Sequence, residues 1–328
     1  MAIYKSFEMI EKLLHLEKNL YSVKSLMHLE ESFNVDYFDV DNQSVFVDHL
    51  FKNKYEIIFA KLGLHFNQEV FLLQPGLKYI ITPTTGLNHI DLQNAEKRNI
   101  QVISLKTETV FLKNVLSTAE HTWGLLLALI RNIPSAFQDV RDGYWRRSPF
   151  MANELDGKTL GIIGYGRLGK QVAKYGKAFN MNVIAYDISE EAFSEPQGKA
   201  VDLRSLLLKS DIVSLHIPFN EANRKFIDQN KFNLMKDTSV FINTSRGEVV
   251  NEDDLLRSLQ NNIIKGAAVD VLDSDSSWDG KSPSNKLINY SKDYENLIIT
   301  PHIGGYGADS IQKTRAFIME KFLKNYLQ

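Results

Sequence analysis

Residues 160–170 have the sequence LGIIGYGRLGK, which places Gly164, Gly166 and Gly169 at the spacing G-x-G-x-x-G. Between a strand and a helix, the first glycine permits a tight turn and the second lets a pyrophosphate approach the backbone. The third lets the helix pack closely on the strand. The spacing therefore indicates a dinucleotide site, and the alternative is a tight turn without a ligand.

The flanking segments complete a βαβ unit around this turn. Residues 159–163 and 182–186 have the short apolar pattern of strands, and residues 167–180 have the pattern of a helix. Arg167 and Leu168 are the first two residues of this helix. Its first N–H groups and the positive end of its dipole are expected to face the phosphates.

Asp187 follows the second strand, 18 residues after Gly169. A carboxylate at this place accepts hydrogen bonds from the ribose hydroxyls and repels a 2′-phosphate. Neither Ile188 nor Ser189 supplies a cation that would bind such a phosphate. The sequence therefore predicts NAD rather than NADP as the cofactor.

Strand and helix patterns alternate through the second two-thirds of the chain, which predicts a parallel, doubly wound sheet. Further strands are expected at residues 212–217, 239–243, 266–271 and 297–300, with helices at 229–234 and 252–261. The first third also alternates, with strands expected at residues 12–17, 55–61 and 77–82 and a helix at 22–32. A further helix is expected at residues 310–327.

A long apolar helix is predicted to begin at a capping box formed by residues 117–120 and to end near Arg131. The helix is too apolar to lie on the surface, so it should be buried. His121 and Trp123 on it are interpreted as core or interdomain contacts.

Composition excludes several classes of function. The chain has 328 residues, 44% of them hydrophobic and 24% charged, with a net charge of −2. This balance suits a globular protein of two domains and offers no basic surface for nucleic acid or membrane. The absence of cysteine excludes disulfides and thiolate chemistry, and the eight histidines have no metal-ligand spacing. Early charges interrupt any apolar signal segment, so a cytoplasmic location is expected.

Several motifs together resemble the D-2-hydroxyacid dehydrogenase family, the group that includes phosphoglycerate dehydrogenase. They occur in family order as GKTLGIIGYGRLGK (157–170), HIPFN (216–220), FINTSRGEVVNEDDL (241–255), GAAVDV (266–271) and TPHIGG (300–305). The resemblance covers about residues 116–305 and is specific as a set. It implies two Rossmann- or flavodoxin-like doubly wound parallel-sheet domains with a cleft between them, and a homodimer. We expect an NAD-binding domain at 112–302 and a discontinuous substrate domain at 1–111 plus 303–328.

The expected chemistry is the reduction of a 2-oxo acid, or its reverse. Arg246 offers a planar cation that binds the carboxylate and polarises the carbonyl. His302 can give or take the proton. In the family a glutamate orients this histidine, and the residue that aligns here is Asp275, one methylene shorter. Asp273 is the alternative partner. Each of these side chains could instead be an ordinary loop or core residue.

The resemblance also implies contacts to the cofactor and the substrate. Asp270 is expected to face the nicotinamide carboxamide, and Thr244, His216 and Pro218 to line the cofactor pocket, with a packing role left open for His216. Around the substrate, the loop at residues 84–88 is expected to bind the carboxylate through the backbone of Thr85, Gly86 and Leu87. Its alternative is an ordinary turn. Further candidates for contact with the substrate are Lys106 and Lys113, which are nearby in the sequence, and the more distant Trp278. The alternative for the two lysines is that they are ordinary solvated side chains.

An NAD-dependent D-2-hydroxyacid dehydrogenase is therefore the predicted function, with a small 2-hydroxy or 2-oxo acid as substrate. The alternative from another class is an NAD(H)-sensing binding protein, similar to a corepressor, without turnover. A formate-type dehydrogenase is disfavoured because it needs no acid at position 275.

Overall fold

The computed structural model describes residues 11–194, 197–273, 280 and 284–326. Most of these residues belong to two compact units. The first consists of residues 11–112 and 308–326, and the second of residues 113–273 and 284–307. The domain boundary predicted between residues 111 and 112 lies one residue before the division between residues 112 and 113. The boundary predicted between residues 302 and 303 lies five residues before the division between residues 307 and 308.

The first unit is built on a five-stranded sheet. Its strands are β1 (Lys12–His15), β2 (Asn34–Tyr37), β3 (Ile57–Phe59), β4 (Tyr79–Ile81) and β5 (Gln101–Ile103). Its helices are α1 (Val23–Ser32), α2 (Gln43–Lys52), α3 (Gln68–Leu73), α4 (Leu92–Lys97), α5 (Thr109–Leu112) and the last helix of the chain, α13 (Ala308–Tyr326). All pairs are parallel in the order β2-β1-β3-β4-β5, which is the flavodoxin-like order.

Polar residues set where the helices of this unit begin. The side chains of Ser22, Asn42, Asn67 and Asp91 each accept a backbone N–H bond at the start of α1, α2, α3 and α4. Such N-caps satisfy donors that the first helical turn leaves without partners. They explain why short helices of six to ten residues are stable against this sheet.

The second unit is built on a seven-stranded sheet. Its strands are β6 (Thr159–Ile163), β7 (Asn182–Tyr186), β8 (Lys199–Ala200), β9 (Ile212–Leu215), β10 (Val240–Asn243), β11 (Gly266–Val269) and β12 (Leu297–Ile299). Its helices are α6 (Ser117–Ile130), α7 (Ile133–Arg141), α8 (Arg167–Ala178), α9 (Leu203–Lys209), α10 (Gln229–Phe232), α11 (Glu252–Gln260) and α12 (Lys286–Ser291). Every predicted strand and helix from residue 159 to 300 is present, shortened by at most two residues.

The strand order of this second sheet is β12-β11-β10-β9-β6-β7-β8, again all parallel. The order reverses between β6 and β9, so β6 lies at the topological switch point of a Rossmann fold. Ligands of such sheets bind beyond the carboxyl ends of the strands. The turn after β6 and the loops after β10, β11 and β12 all leave the sheet at that edge.

The predicted capping box at the start of α6 is wrong. Leu116 occupies the N-cap position in a helical conformation, and no side chain caps the helix there. The hydroxyl of Ser117 instead donates to the carbonyl of Gly304 (2.8 Å) and accepts from the N–H of Gly307 (3.1 Å). The burial expected for this helix is confirmed, because Trp123, Leu126 and their neighbours lie in the core.

Candidate active site

The turn after β6 needs glycine at its first and third glycine positions. Gly164 has φ +91°, and a Cβ on it would lie 2.7 Å from the backbone of His216. A Cβ on Gly169 would collide with the carbonyl oxygen of Gly164. The strand, the turn and the start of α8 are thus packed backbone against backbone.

The start of α8 fits a pyrophosphate group. Gly166 is the N-cap residue in an extended conformation, and no side chain caps the helix. A Cβ on Gly166 would meet nothing within 4 Å, so the backbone can be approached there. The Arg167 side chain is directed to the carbonyl of Val115 (3.2 Å), and burial lowers the pKa of its guanidinium. Leu168 packs against the core, so both residues offer the site their backbone N–H groups.

Backbone N–H groups hold both oxygens of the Asp187 carboxylate. One oxygen accepts from the N–H of Tyr165 (2.6 Å) and the other from the N–H of Ser189 (2.9 Å). Each carboxylate oxygen keeps a second lone pair. The residue is half-buried at the carboxyl end of β7, where it fits a pair of ribose hydroxyls.

Replacing Asp187 with asparagine should shift the cofactor preference. The amide keeps the size of the side chain but removes its charge and one of its two acceptor oxygens. We expect the Kd for NADH to rise about tenfold and the Kd for NADPH to fall, because hydrogen bonds to a charged group contribute about 1.5–3 kcal/mol. Fluorescence titration measures both constants. The exposed Glu190→Gln is the control, and an unchanged NADH-to-NADPH ratio in Asp187→Asn would contradict the assignment.

The cofactor candidates after β9 and β10 are held by polar contacts. His216 Nε2 lies 2.8 Å from Ser214 Oγ, and burial lowers the pKa of its imidazole to about 3. The carbonyl of Pro218 accepts from Asn223 Nδ2 at 2.5 Å. The Thr244 hydroxyl lies 2.8 Å from that of Thr122, which anchors it to α6.

The turn that carries Arg246 is built by Asn243 at the end of β10. Asn243 Oδ1 accepts from the N–H (3.0 Å) and hydroxyl (2.9 Å) of Ser245, and its Nδ2 donates to the Arg246 carbonyl (3.0 Å). Arg246 is half-buried, and its Nη1 donates to the Ser245 carbonyl at 2.6 Å. A Cβ on Gly247 would collide with the backbone of Leu272. The Arg246 turn therefore packs directly on the segment after β11.

Glu252 is a site residue that the sequence interpretation missed. Its carboxylate accepts from the N–H of Asp273 and from Asn285 Nδ2, both at 2.7 Å, and burial raises its pKa. It thus holds the backbone of the segment that leads to Asp275. Asp275 itself and Trp278 lie outside the described residues, so the choice between Asp273 and Asp275 as partner of His302 stays a prediction.

Asp270 organises the loop after β12. Its side chain is 2% exposed, and Oδ1 accepts from Thr300 Oγ1 (2.6 Å) and from the N–H of Ile303 (2.9 Å). Oδ2 accepts from the N–H of Gly304 (2.7 Å), and the Asp270 carbonyl accepts from the N–H of His302 (2.8 Å). The predicted contact of Asp270 with the nicotinamide stays a prediction.

His302 has a backbone conformation that is unusual for a residue with a Cβ. Its φ is +55°, and its N–H donates to the carbonyls of Asp270 (2.8 Å) and Thr300 (3.0 Å). Left-handed conformations of this kind persist where surrounding bonds hold them, and they concentrate at functional sites. The backbone of His302, a half-buried residue, is thereby fixed just beyond the carboxyl end of β12.

His121 and Trp123, predicted to be core or interdomain contacts, both have contacts inside the second unit. Trp123 stacks on Phe179 with the ring centroids 4.7 Å apart, and its indole N–H donates to the Val172 carbonyl. His121 instead makes polar contacts to Asp270 and Thr300, at 3.1 and 3.0 Å. No signal in the sequence links these three residues, because they lie far apart along the chain.

The predicted substrate loop, residues 84–88, follows β4 in the first unit. Thr84 Oγ1 donates to the Gly86 carbonyl (2.8 Å), and the Thr84 carbonyl accepts from the N–H of Leu105 (3.0 Å). Thr85 is exposed, and Gly86 and Leu87 are half-buried. Lys106 and Lys113 are exposed as well.

A family model described as "D-isomer specific 2-hydroxyacid dehydrogenase, NAD binding domain" matches residues 123–304, more than half of the chain. The chain belongs to the D-isomer-specific 2-hydroxyacid dehydrogenase family. Within the described residues, no helix has the length and apolar character needed to cross a membrane.

Known proteins of this family resemble the chain over most of its length. It is 36% identical to D-3-phosphoglycerate dehydrogenase of Archaeoglobus fulgidus, over 76% of this chain and 45% of that enzyme. It is 32% identical to D-3-phosphoglycerate dehydrogenase of Haemophilus influenzae, over 92% of this chain and 72% of that enzyme. The structure of D-lactate dehydrogenase from Aquifex aeolicus with NAD and lactic acid superposes with a TM-score of 0.77. That match has 29% identity over 96% of this chain and 95% of that one.

These findings confirm the predicted family and the fold class of two parallel α/β domains. NAD as cofactor and the class of enzyme, an NAD-dependent oxidoreductase of 2-hydroxy acids, are confirmed as well. Nothing in these matches supports the alternative of an NAD(H)-sensing protein without turnover.

Proposed function

We propose that this chain transfers hydride reversibly between NAD(H) and a small D-2-hydroxy/2-oxo acid, with His302 as acid–base catalyst. The observation that carries the proposal is the backbone of His302. The residue is held in a left-handed conformation by Asp270, at the same sheet edge as the turn of Arg246. Residues with a Cβ that are held in this conformation cluster at functional sites, which supports the proposal.

In the second unit, some residues bind the cofactor and others act on the substrate. The first turn of α8 holds the pyrophosphate and Asp187 the adenosine ribose, and the bound nicotinamide supplies the hydride. Arg246 binds the substrate carboxylate with its planar guanidinium and withdraws charge from the carbonyl oxygen. His302 gives a proton to that oxygen during reduction and takes it back during oxidation.

We assign the described residues 11–112 and 308–326 to the substrate domain and 113–273 with 284–307 to the NAD-binding domain. The N–H groups of Thr85, Gly86 and Leu87 are proposed to bind the substrate carboxylate. Support comes from their place in the loop after β4, beyond the carboxyl end of a parallel sheet, where such sheets bind ligands. The cytoplasmic location and the absence of nucleic-acid partners stay predictions.

We also propose that the chain is a homodimer whose interface includes α7. This helix carries Ile133, Phe137 and Val140 on one face at positions i, i+4 and i+7, and they are 52%, 62% and 51% exposed. Trp145 and Met151, shortly after it, are 91% and 90% exposed. Exposed apolar faces of this kind mark surfaces that associate with another molecule.

Phe137→Asp should therefore convert the dimer to a monomer. A buried charge without a partner costs several kcal/mol at an interface, which weakens association more than 100-fold. Sedimentation velocity at micromolar concentration measures the change. The control is Phe51→Asp, an exposed phenylalanine on α2. A monomeric wild type, or a Phe137→Asp variant that stays dimeric, would contradict this interface.

The reaction itself is tested by NADH oxidation with a panel of 2-oxo acids of increasing side-chain size and charge. We expect saturable turnover with at least one of them and the D-isomer as product. Tight NADH binding with no turnover on any member of the panel would favour the NAD(H)-sensing alternative instead.

A further inference from the structure

The first turns of α6 and the loop after β12 share a polar network inside the second unit. His121 Nε2 lies 3.1 Å from Asp270 Oδ1 and 3.0 Å from Thr300 Oγ1. The side chain of His121 is 20% exposed, against 2% for Asp270. The contact is therefore made at the border of the core, close to the loop that carries His302.

The direction of these hydrogen bonds follows from the donors available. Burial alone would raise the pKa of Asp270, but the bonds from His121, Thr300 and the Gly304 N–H outweigh it and lower the pKa, so the carboxylate is an acceptor only. Thr300 uses its single hydroxyl proton to donate to Asp270 at 2.6 Å. Towards His121, both partners can therefore only accept, and Nε2 of His121 must carry the proton.

His121 is bonded to Asp270, and Asp270 in turn holds the backbone around His302. Asp270 accepts from the N–H of Ile303 and Gly304 through its carboxylate, and from the N–H of His302 through its carbonyl. A second contact from α6 reaches the same loop, because Ser117 Oγ binds Gly304 and Gly307. The strained φ of His302 depends on this set of bonds.

We propose that His121 is a positioning residue for His302, acting through Asp270 and Thr300. The inference rests on the proposed function, since it names a residue that supports the same acid–base step. His121 itself transfers no proton in the reaction. Its Nε2–H fixes the orientation of Asp270 and Thr300, and these fix the loop that presents the imidazole of His302.

The activity test compares two replacements of His121. His121→Phe keeps a ring but removes the donor, and we expect kcat to fall about 10- to 100-fold, as for a small misplacement of a catalytic group. KM for the 2-oxo acid should change little, because His121 is not among the residues assigned to substrate binding. His121→Gln keeps an N–H donor and should recover most of the lost kcat. The exposed Glu120→Gln on the same helix turn is the control and should match the wild type.

A second readout does not depend on turnover. Histidine NMR, with the His302 signal assigned from a His302→Asn variant, should show a shifted His302 resonance in His121→Phe. The resonance should return towards its wild-type position in His121→Gln. An enzyme that turns over normally with an unchanged His302 signal in His121→Phe would overturn the proposal. So would a His121→Gln variant as impaired as His121→Phe in both readouts. A wild type without turnover, but with the shifted signal in His121→Phe, would overturn the proposed function and leave the positioning role standing.

Discussion

His302→Asn is expected to lower kcat by about 100- to 10,000-fold, the contribution of a positioned acid–base group. Asparagine is the most informative replacement, because it tolerates the left-handed conformation at φ +55° better than most residues with a Cβ. The loop should therefore keep its backbone while the imidazole is lost. The Kd for NADH should stay close to the wild-type value, since His302 is not among the residues assigned to the cofactor.

A matched variant separates chemistry from loop structure. His302→Val places a β-branched residue where the backbone disfavours one, so it should disturb the loop, weaken NADH binding and lower thermal stability as well as kcat. Steady-state kinetics, NADH titration and thermal melts distinguish the two variants. A His302→Asn enzyme with wild-type kcat on its best 2-oxo acid would remove His302 from the mechanism.

Arg246→Lys is expected to lower kcat/KM by about 100- to 1,000-fold, the range found when one preorganised group at a developing oxyanion is removed. Lysine keeps the charge but replaces the planar fork with a single flexible ammonium, which cannot bind a carboxylate and polarise a carbonyl together. Asn243 binds Arg246 only through its backbone carbonyl and binds Ser245 besides, so the turn itself should survive.

Both kinetic constants should change in Arg246→Lys. KM should rise because carboxylate binding is weakened, and kcat should fall because charge on the carbonyl oxygen is stabilised less in the transition state. Arg224→Lys is the control, because Arg224 is an exposed arginine that pairs with Glu221. An Arg246→Lys enzyme with wild-type kcat/KM would show that the fork geometry is unimportant.

The local parts of the site could be predicted from the sequence. The glycines after β6, the helix start at Arg167 and the acid at Asp187 lie within 24 residues of one another. Their proposed roles follow from backbone geometry that neighbouring residues determine. The same holds for the ends of β10 and β12, because strand patterns are local.

The contacts that hold the site could not be predicted in the same way. His121 meets Asp270 and Thr300 across 149 and 179 residues of sequence. Ser117 matched a local capping pattern, but its hydroxyl is used by Gly304, 187 residues away. Hydrogen bonds of this kind depend on how α6 packs on the sheet, which no local pattern encodes. The left-handed backbone of His302 is likewise a product of those contacts.

Short strands set a similar limit in the first unit. The strands β3, β4 and β5 have three residues each, and the apolar runs around β3 and β4 extend beyond them. A run such as residues 55–61 signals burial over its whole length, while the sheet pairs only Ile57–Phe59. Sequence pattern therefore identified buried segments better than it identified strand ends.

The central claim is that this chain transfers hydride from NADH to C2 of a 2-oxo acid. The most direct measurement uses NADH deuterated at both C4 positions, a turned-over 2-oxo acid, and NMR and chiral analysis of the product. We predict one deuterium at C2 of a D-2-hydroxy acid, formed at a rate that His302→Asn and Arg246→Lys both reduce. Product without deuterium at C2, or no hydroxy acid with any 2-oxo acid despite tight NADH binding, would contradict the claim.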